Sequence, residues 1–262
     1  MKILFISDIV GGPGRRAVKQ HLQGLREKHS VDLIIANGEN SAGGFGITQK
    51  VAEELLGMGI DILTSGNHIW DKKEVMNYLG KEDRLIRPAN YPPGVPGYGS
   101  ALVTAKDGTR VGVLNLMGRV FMTNLDCPFR VGSEEVEKLK DAGAAVVFVD
   151  FHAEATSEKL ALARYLDGSI TALVGTHTHV QTADERILPK GTAYITDVGM
   201  TGPMDSVIGV TPEAAIERFL THIPQKFDTA KGPAWLQAVI VEADPATGLA
   251  DGITRISLES EA

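Results

Sequence analysis

The 262 residues are 43% hydrophobic and 23% charged, an ordinary globular composition with enough chain to bury a full core. Lys and Arg total 26 against 33 Asp and Glu, a net charge of -7, so the surface as a whole repels phosphate polymers and does not suit a nucleic-acid coat protein. The single cysteine, Cys127, excludes an intrachain disulfide and a thiolate zinc cluster and fits a reducing cytoplasm, while no apolar run reaches the length of a signal or a bilayer span.

In chain order, β-branched and apolar runs predict strands over Lys2 to Ser7, Val31 to Ala36, Asp61 to Thr64, Val111 to Leu116, Ala144 to Val149 and Ile170 to Val174. Apolar residues at helical spacing predict helices over Arg15 to Lys28, Gln49 to Gly57, Lys72 to Leu79, Glu134 to Asp141 and Ser157 to Leu166. This alternation describes a largely parallel α/β sheet whose functional groups gather on loops at the carboxyl ends of the strands. The Pro- and Gly-rich stretch Arg87 to Gly99 reads as an irregular connection. After Thr192 come Tyr194 to Thr196, a Gly-rich loop, a helix near Pro212 to Leu220, and strand-like runs over Trp235 to Glu242 and Ile253 to Leu258, which a mixed or second sheet would hold. No repeat, low-complexity tract or linker interrupts the chain.

Five polar clusters each follow a predicted strand. They are Asp8, Gly38-Glu39-Asn40, Gly66-Asn67-His68, His152, and His177 with His179. The two-residue spacing of the last pair lets both imidazoles point the same way if that segment is extended. Together the clusters offer two carboxylates, two amides and four imidazoles without sulfur, a donor set for Mn²⁺, Fe²⁺ or Zn²⁺. A carboxylate such as Glu39 can bridge two ions about 3.5 to 4 Å apart that share a water and clamp a phosphate. Taken singly, each cluster has a blander reading. Asp8, Glu39 and Asn40 suit helix caps or turns, and Asn67 suits a left-handed turn. It is their occurrence in order on five strand ends that points to a site.

In that order the clusters resemble the five blocks of the calcineurin-like metallophosphoesterases. The chain departs from the usual Asp-x-His opening, having Asp8-Ile9-Val10, and carries Gly38-Glu39-Asn40 where Gly-Asp is usual. Both departures resemble the YmdB-type phosphodiesterases, as do Gly43-Gly44-Phe45-Gly46-Ile47-Thr48 and the run Tyr194 to Pro203. The resemblance spans nearly the whole chain and implies one metallophosphoesterase domain, residues 1–262, built as a β-sandwich of mixed sheets flanked by helices. It implies two divalent ions, Fe or Mn foremost and Zn admissible: one held by Asp8, Glu39, Asn40 and His179, the other by Glu39, Asn67, His152 and His177. It further implies hydrolysis of small phosphodiesters, 2',3'- and 3',5'-cyclic nucleotides among them, by a hydroxide bridging the two ions, with His68 as general acid at the leaving oxygen. Asn40 is the expected replacement for the missing histidine at position 10.

Two other functions compete. Gly12-Pro13-Gly14-Arg15-Arg16-Ala17 formally matches a dinucleotide fingerprint, with Glu39 near the ribose-binding distance, but a Rossmann-type NAD enzyme leaves Asp8 beside a pyrophosphate and the four histidines without work. The same metal site can instead serve a non-catalytic, nucleotide-sensing regulator with an RNA-processing partner, and a homo-oligomer is compatible with either. The Gly43 to Gly46 loop can bring amides to phosphate, and Phe45 can stack on a base or close as a lid. Arg15 and Arg16 face solvent or approach phosphate. Asp197 and Asp205 flank a Gly-rich loop and can cap it or lean into the pocket, the cap being the favoured reading, while His21, His29 and His222 read as surface or packing residues. Cys127 reads as a small apolar side chain.

Overall fold

Strands that are apolar at every position, without polar alternation, are covered on both faces, and this chain uses them to separate three cores. The computed structural model describes residues 1–260. It opens with β1 (Lys2–Ile6), β2 (Asp8–Ile9), α1 (Gly11–His29), β3 (Leu33–Asn37), α2 (Gln49–Gly57), β4 (Ile62–Thr64) and α3 (Val75–Leu79). The middle of the chain forms β5 (Ser100–Thr104), β6 (Arg110–Met117), α4 (Pro128–Asp141), β7 (Val146–His152), α5 (Thr156–Tyr165) and β8 (Ala172–Thr176). Then follow β9 (Arg186–Ile187), β10 (Ala193–Ile195), β11 (Met200–Pro203), α6 (Pro212–Thr221), β12 (Ala234–Asp244) and β13 (Leu249–Ser260).

The strands make two mixed sheets. One runs β2-β11-β12-β1-β3-β4 with β13 paired to β12, and the other runs β5-β6-β7-β8-β10-β9. In the first, β1, β3 and β4 are parallel and β12 is antiparallel to β1. In the second, β6, β7, β8 and β10 are parallel, with β5 and β9 as antiparallel edges. Alternate residues of one strand feed different cores. Ile3 and Phe5 face the second sheet, where Phe5 stacks on Phe148 with ring centroids 5.5 Å apart. Leu4 and Ile6 face outward onto Ala17, Val18 and Leu22 of α1 and Leu55 of α2. A third core closes the far side of the second sheet, where Val147, Val149 and Phe151 meet Val136 of α4 and Leu162 of α5. The result is a helix–sheet–sheet–helix sandwich, the α/β class and mixed-sheet architecture the resemblance implies.

The parallel strands of both sheets end at the same seam. From the first sheet the chain delivers Asp8 just past β1, Glu39 and Asn40 past β3, and Asn67 and His68 past β4. From the second it delivers His152 at the end of β7 and His177 and His179 past β8. Among the described residues no helix is long and apolar enough to cross a membrane.

Several boundaries differ from the sequence reading for local reasons. Helix α1 starts at Gly11, not Arg15, because Pro13 fits a first turn where its missing N–H is not needed. Helix α4 likewise starts early, on Pro128. Strand β5 emerges directly after the irregular 87–99 stretch because it pairs antiparallel with β6, from Ser100 opposite Leu114 to Thr104 opposite Arg110.

Candidate metal centre

All seven sequence-predicted ligands converge on one point of the seam. His152 Nε2 lies 3.0 Å from Glu39 Oε1, 2.9 Å from Asn67 Oδ1 and 3.0 Å from His177 Nδ1. Beside this group, Asn40 Nδ2 is 3.3 Å from His179 Nε2 and 3.4 Å from Glu39 Oε1. The nitrogen and oxygen of the Asn40 amide are isosteric, so a half-turn of the group presents its oxygen to the same point. Asp8 Oδ1 stands 3.9 Å from His179 Nε2 and 3.9 Å from His152 Nδ1, while its Oδ2 accepts the His177 backbone N–H at 3.2 Å. Glu39 touches both groups, the position a bridging carboxylate requires.

His177 and His179 do not converge through an extended segment. Both adopt positive φ, 101° and 63°, so a left-handed turn brings the two rings together. That conformation is unusual for residues other than glycine and is tolerated where surrounding structure fixes it. Here the fixing group is Asp197, whose Oδ2 accepts the Thr178 backbone N–H at 3.0 Å and the Thr178 hydroxyl at 2.7 Å. Oδ1 of the same carboxylate accepts the Gly199 amide at 2.8 Å. Asp197 thus caps the loop, as its sequence position suggests.

Electrostatics around the candidate ligands are dominated by burial and by each other. Burial alone disfavours the charged His152, yet the carboxylates of Glu39, Asp8 and Asp150 outweigh it and hold the imidazolium up to about 9. Burial likewise opposes ionisation of Glu39, but His152 and His68 pull its carboxyl down to about 2. His177 is pushed down to about 3 by burial and then by the charge on His152. His177 meets His152 through Nδ1 at 3.0 Å and Glu154 through Nε2 at 3.1 Å. Burial raises the Asp8 carboxyl.

These residues fit a cation. Asp8 Oδ1 is buried and has no hydrogen-bond partner, an arrangement that costs stability unless something positive faces it. Glu39, His152 and His177 each offer a donor atom within 4.8 Å of the others. The donors are carboxylate, amide and imidazole, with no thiolate, as expected for borderline and hard divalent ions.

A supporting layer lies behind the candidate ligands. His152 Nδ1 contacts the Thr176 hydroxyl at 2.9 Å, and that hydroxyl donates to Asp150 Oδ1 at 2.7 Å. Asp150 also accepts from Thr64 and from Asn37 Nδ2. His179 Nδ1 donates to the Ile208 carbonyl at 2.8 Å. Such contacts set tautomer and ring orientation in metal-binding histidines. His68 stands apart from the cluster: its backbone N–H donates to Glu39 Oε2 at 2.9 Å, while its Nδ1 contacts Asp71 Oδ2 at 2.8 Å. Its ring lines the cavity over the centre and meets the edge of Phe45 at 5.0 Å.

Several secondary expectations are corrected. Arg15 does not approach the site as a phosphate ligand, because its guanidinium is bound to the Ser41 carbonyl and Glu54. The Gly44 amide donates to the Asn40 carbonyl, so it is engaged within its loop. A Cβ on Gly14 would lie 2.2 Å from the Thr201 carbonyl oxygen, so this glycine serves the packing of α1 on β11 and not a pyrophosphate. The buried Glu39 is engaged by His152 at 3.0 Å, and with Gly14 committed to packing the dinucleotide reading loses both its anchors.

With this geometry in view, the chain matches the YmdB-like protein family over residues 4–256. It is 49% identical, over 261 residues covering 100% of this chain and 98% of the relative, to the 2',3'-cyclic-nucleotide 2'-phosphodiesterase of Bacillus subtilis. A crystal structure of a Thermus thermophilus protein superposes with a TM-score of 0.93 at 45% identity, covering 99% of this chain and 100% of that one. The calcineurin-like phosphoesterase YfkN of Bacillus subtilis shares the fold at a TM-score of 0.62 and 13% identity, over 98% of this chain and 90% of its own. The match to the family over residues 4–256 and the 49% identity to a phosphodiesterase along the whole chain show that this protein belongs to the YmdB-like family of phosphoesterases.

Proposed function

We propose that the chain is a single-domain, metal-dependent phosphodiesterase acting on 2',3'-cyclic nucleotides and, by the same chemistry, on 3',5'-cyclic nucleotides and other small phosphodiesters. The observation that carries the reading is the convergence of Asp8, Glu39, Asn40, Asn67, His152, His177 and His179, with Glu39 between two donor groups. Asp8, Glu39, Asn40 and His179 would hold one divalent ion and Glu39, Asn67, His152 and His177 the other; the donors accept Fe, Mn or Zn, and the family resemblance puts Fe or Mn foremost. When bound, two such ions supply a water of lowered pKa and neutralise charge on the phosphate oxygens.

The protein's own part is positioning and proton transfer. His68 lines the cavity and its Nδ1 is held by Asp71. That contact fixes the ring and leaves Nε2 to pass a proton to the departing oxygen. With a 2',3'-cyclic nucleotide, breaking the 2' ester bond returns a 2'-hydroxyl and leaves a 3'-monophosphate. The proton from His68 ends on that hydroxyl.

The test is a substrate panel with Mn²⁺ and after chelation: 2',3'-cAMP, 3',5'-cAMP, bis-p-nitrophenyl phosphate and p-nitrophenyl phosphate. Diester hydrolysis exceeding monoester hydrolysis, and abolished by chelation, is expected. Equal rates with and without chelator would overturn the reading.

A further inference from the structure

The cavity over the candidate centre, of ≈ 390 Å³, falls in the size range of small-molecule sites and has two unlike walls. One is the ligand cluster with His68. The other comes from residues 204–230 and is apolar, built by Val207, Ile208 and Val210, by Phe219 of α6 and by Phe227. Its only charged side chain is Arg218, whose guanidinium lies 5.3 Å over the Phe227 ring. Phe219 is 76% exposed, an open aromatic face at the mouth of the site.

This wall is fastened to the centre at one residue. Ile208 has φ 48°, a left-handed conformation that a β-branched residue holds only under constraint. In that conformation its carbonyl accepts from Nδ1 of His179 at 2.8 Å while its side chain faces the cavity. The turn around it is closed by paired backbone bonds between Val207 and Val210, at 3.0 and 3.1 Å, and by the Gly209 amide donating to the Ser206 hydroxyl at 2.9 Å. A Cβ on Gly209 would meet Val10 at 2.9 Å, so the turn is seated against the start of α1. The position of the apolar wall is therefore set relative to the ligand rings.

We propose that this wall is a subsite for a flat aromatic heterocycle, the base of a nucleoside phosphodiester whose phosphate lies at the ligand cluster. The proposal rests on the phosphodiesterase reading above. Rings and an Arg side chain already stacked on one of them receive a base by its π-face, which every base has. The wall aims no buried amide or carboxylate at the edge of a base, so it selects for the presence of a base and discriminates little between bases.

The test compares kcat/KM for 2',3'-cAMP, 2',3'-cCMP and glycerol 1,2-cyclic phosphate, which keeps the five-membered cyclic diester without a base. Wild type is compared with Phe219→Ala and Phe227→Leu. Binding of adenosine to chelated protein, read by saturation-transfer NMR, supplies a measurement independent of turnover. Base-bearing substrates are expected to lead the base-less one by roughly tenfold or more, in line with the worth of one base–aromatic stack. The two nucleotides should stay close together, and Phe219→Ala should shrink the lead through KM. Phe219 is exposed, so its substitution does not threaten folding even if Phe227→Leu does. A ratio near one in wild type, or a ratio unchanged in Phe219→Ala, overturns the subsite. An unchanged ratio with a smaller sedimentation coefficient would instead give the wall to a second copy of the chain. If bis-p-nitrophenyl phosphate is cleaved but no cyclic diester is, the substrate reading fails first, and absence of the adenosine signal then overturns the subsite separately.

Discussion

The ammonium of Lys159 lies 2.7 Å from Oδ2 of Asp197, and both side chains are wholly buried. The same oxygen accepts from Thr178, so the pair sits under the turn that presents His177 and His179. Lys159→Met leaves a buried carboxylate without its countercharge and should cost about 3–5 kcal/mol by denaturant unfolding. Adding Asp197→Asn should recover part of that loss. The single variant should also bind Mn²⁺ more weakly by calorimetry, because its histidine turn is no longer braced.

Stability should depend on pH in opposite ways with and without metal. In the chelated protein His152 is raised from 6.5 to about 9 and Asp150, by burial, from 3.8 to about 7. Their contributions are complete below the ordinary values and are lost as pH rises through the raised ones. Glu39, lowered from 4.5 to about 2, contributes fully above 4.5 and loses that contribution as pH falls through 2. Chelated protein should therefore melt highest near pH 4.5 and progressively lower toward pH 9. Metal binding displaces the His152 proton, so affinity should rise by up to about tenfold per pH unit for each proton released. Differential scanning fluorimetry at pH 5 and pH 9 should show the Mn²⁺-induced rise in Tm growing with pH; a gap that narrows would contradict this account.

His68→Ala should lower kcat for 2',3'-cAMP by roughly 10²- to 10⁴-fold, the usual worth of general acid catalysis, with metal content by elemental analysis unchanged. For bis-p-nitrophenyl phosphate, whose leaving group departs without a proton, the loss should be much smaller. A uniform loss across both substrates would assign His68 to binding.

A Cβ on Gly66 would stand 2.2 Å from Cδ2 of His152 and 2.4 Å from its Nε2. Because that ring is fully buried, Gly66→Ala should displace it and cost about 1–3 kcal/mol of overpacking, with reduced metal content. In the background of His152→Ala the penalty should disappear. Urea melts of the four proteins measure the coupling.

Much of this candidate site is visible in the linear chain because its candidate ligands are small polar blocks placed immediately after apolar runs, a position that parallel-strand topology turns into a shared rim. Asp8, Glu39, Asn67 and His152 are all legible in that way. Their supports are not. Asp150 lies two residues before His152 inside a fully buried strand, and nothing in local sequence distinguishes a carboxylate bonded to threonines from one at a sheet edge. Lys159 occupies a helix position that reads as solvated, yet it is wholly buried because Asp197, 38 residues later, comes to meet it. Ile208 gives no sign of left-handed backbone, since that conformation is imposed by the seating of its turn. The split of strands into two sheets, and the edge strand β5, are likewise settled by partners distant in sequence.

Every oxygen-bearing candidate ligand rides on the first sheet and every histidine among them on the second. An ion held at their seam would act as a rivet through both plates of the sandwich. Its removal would loosen the join as well as silence the chemistry, and a mechanical pull that slides one plate along the other should need less force after chelation than before.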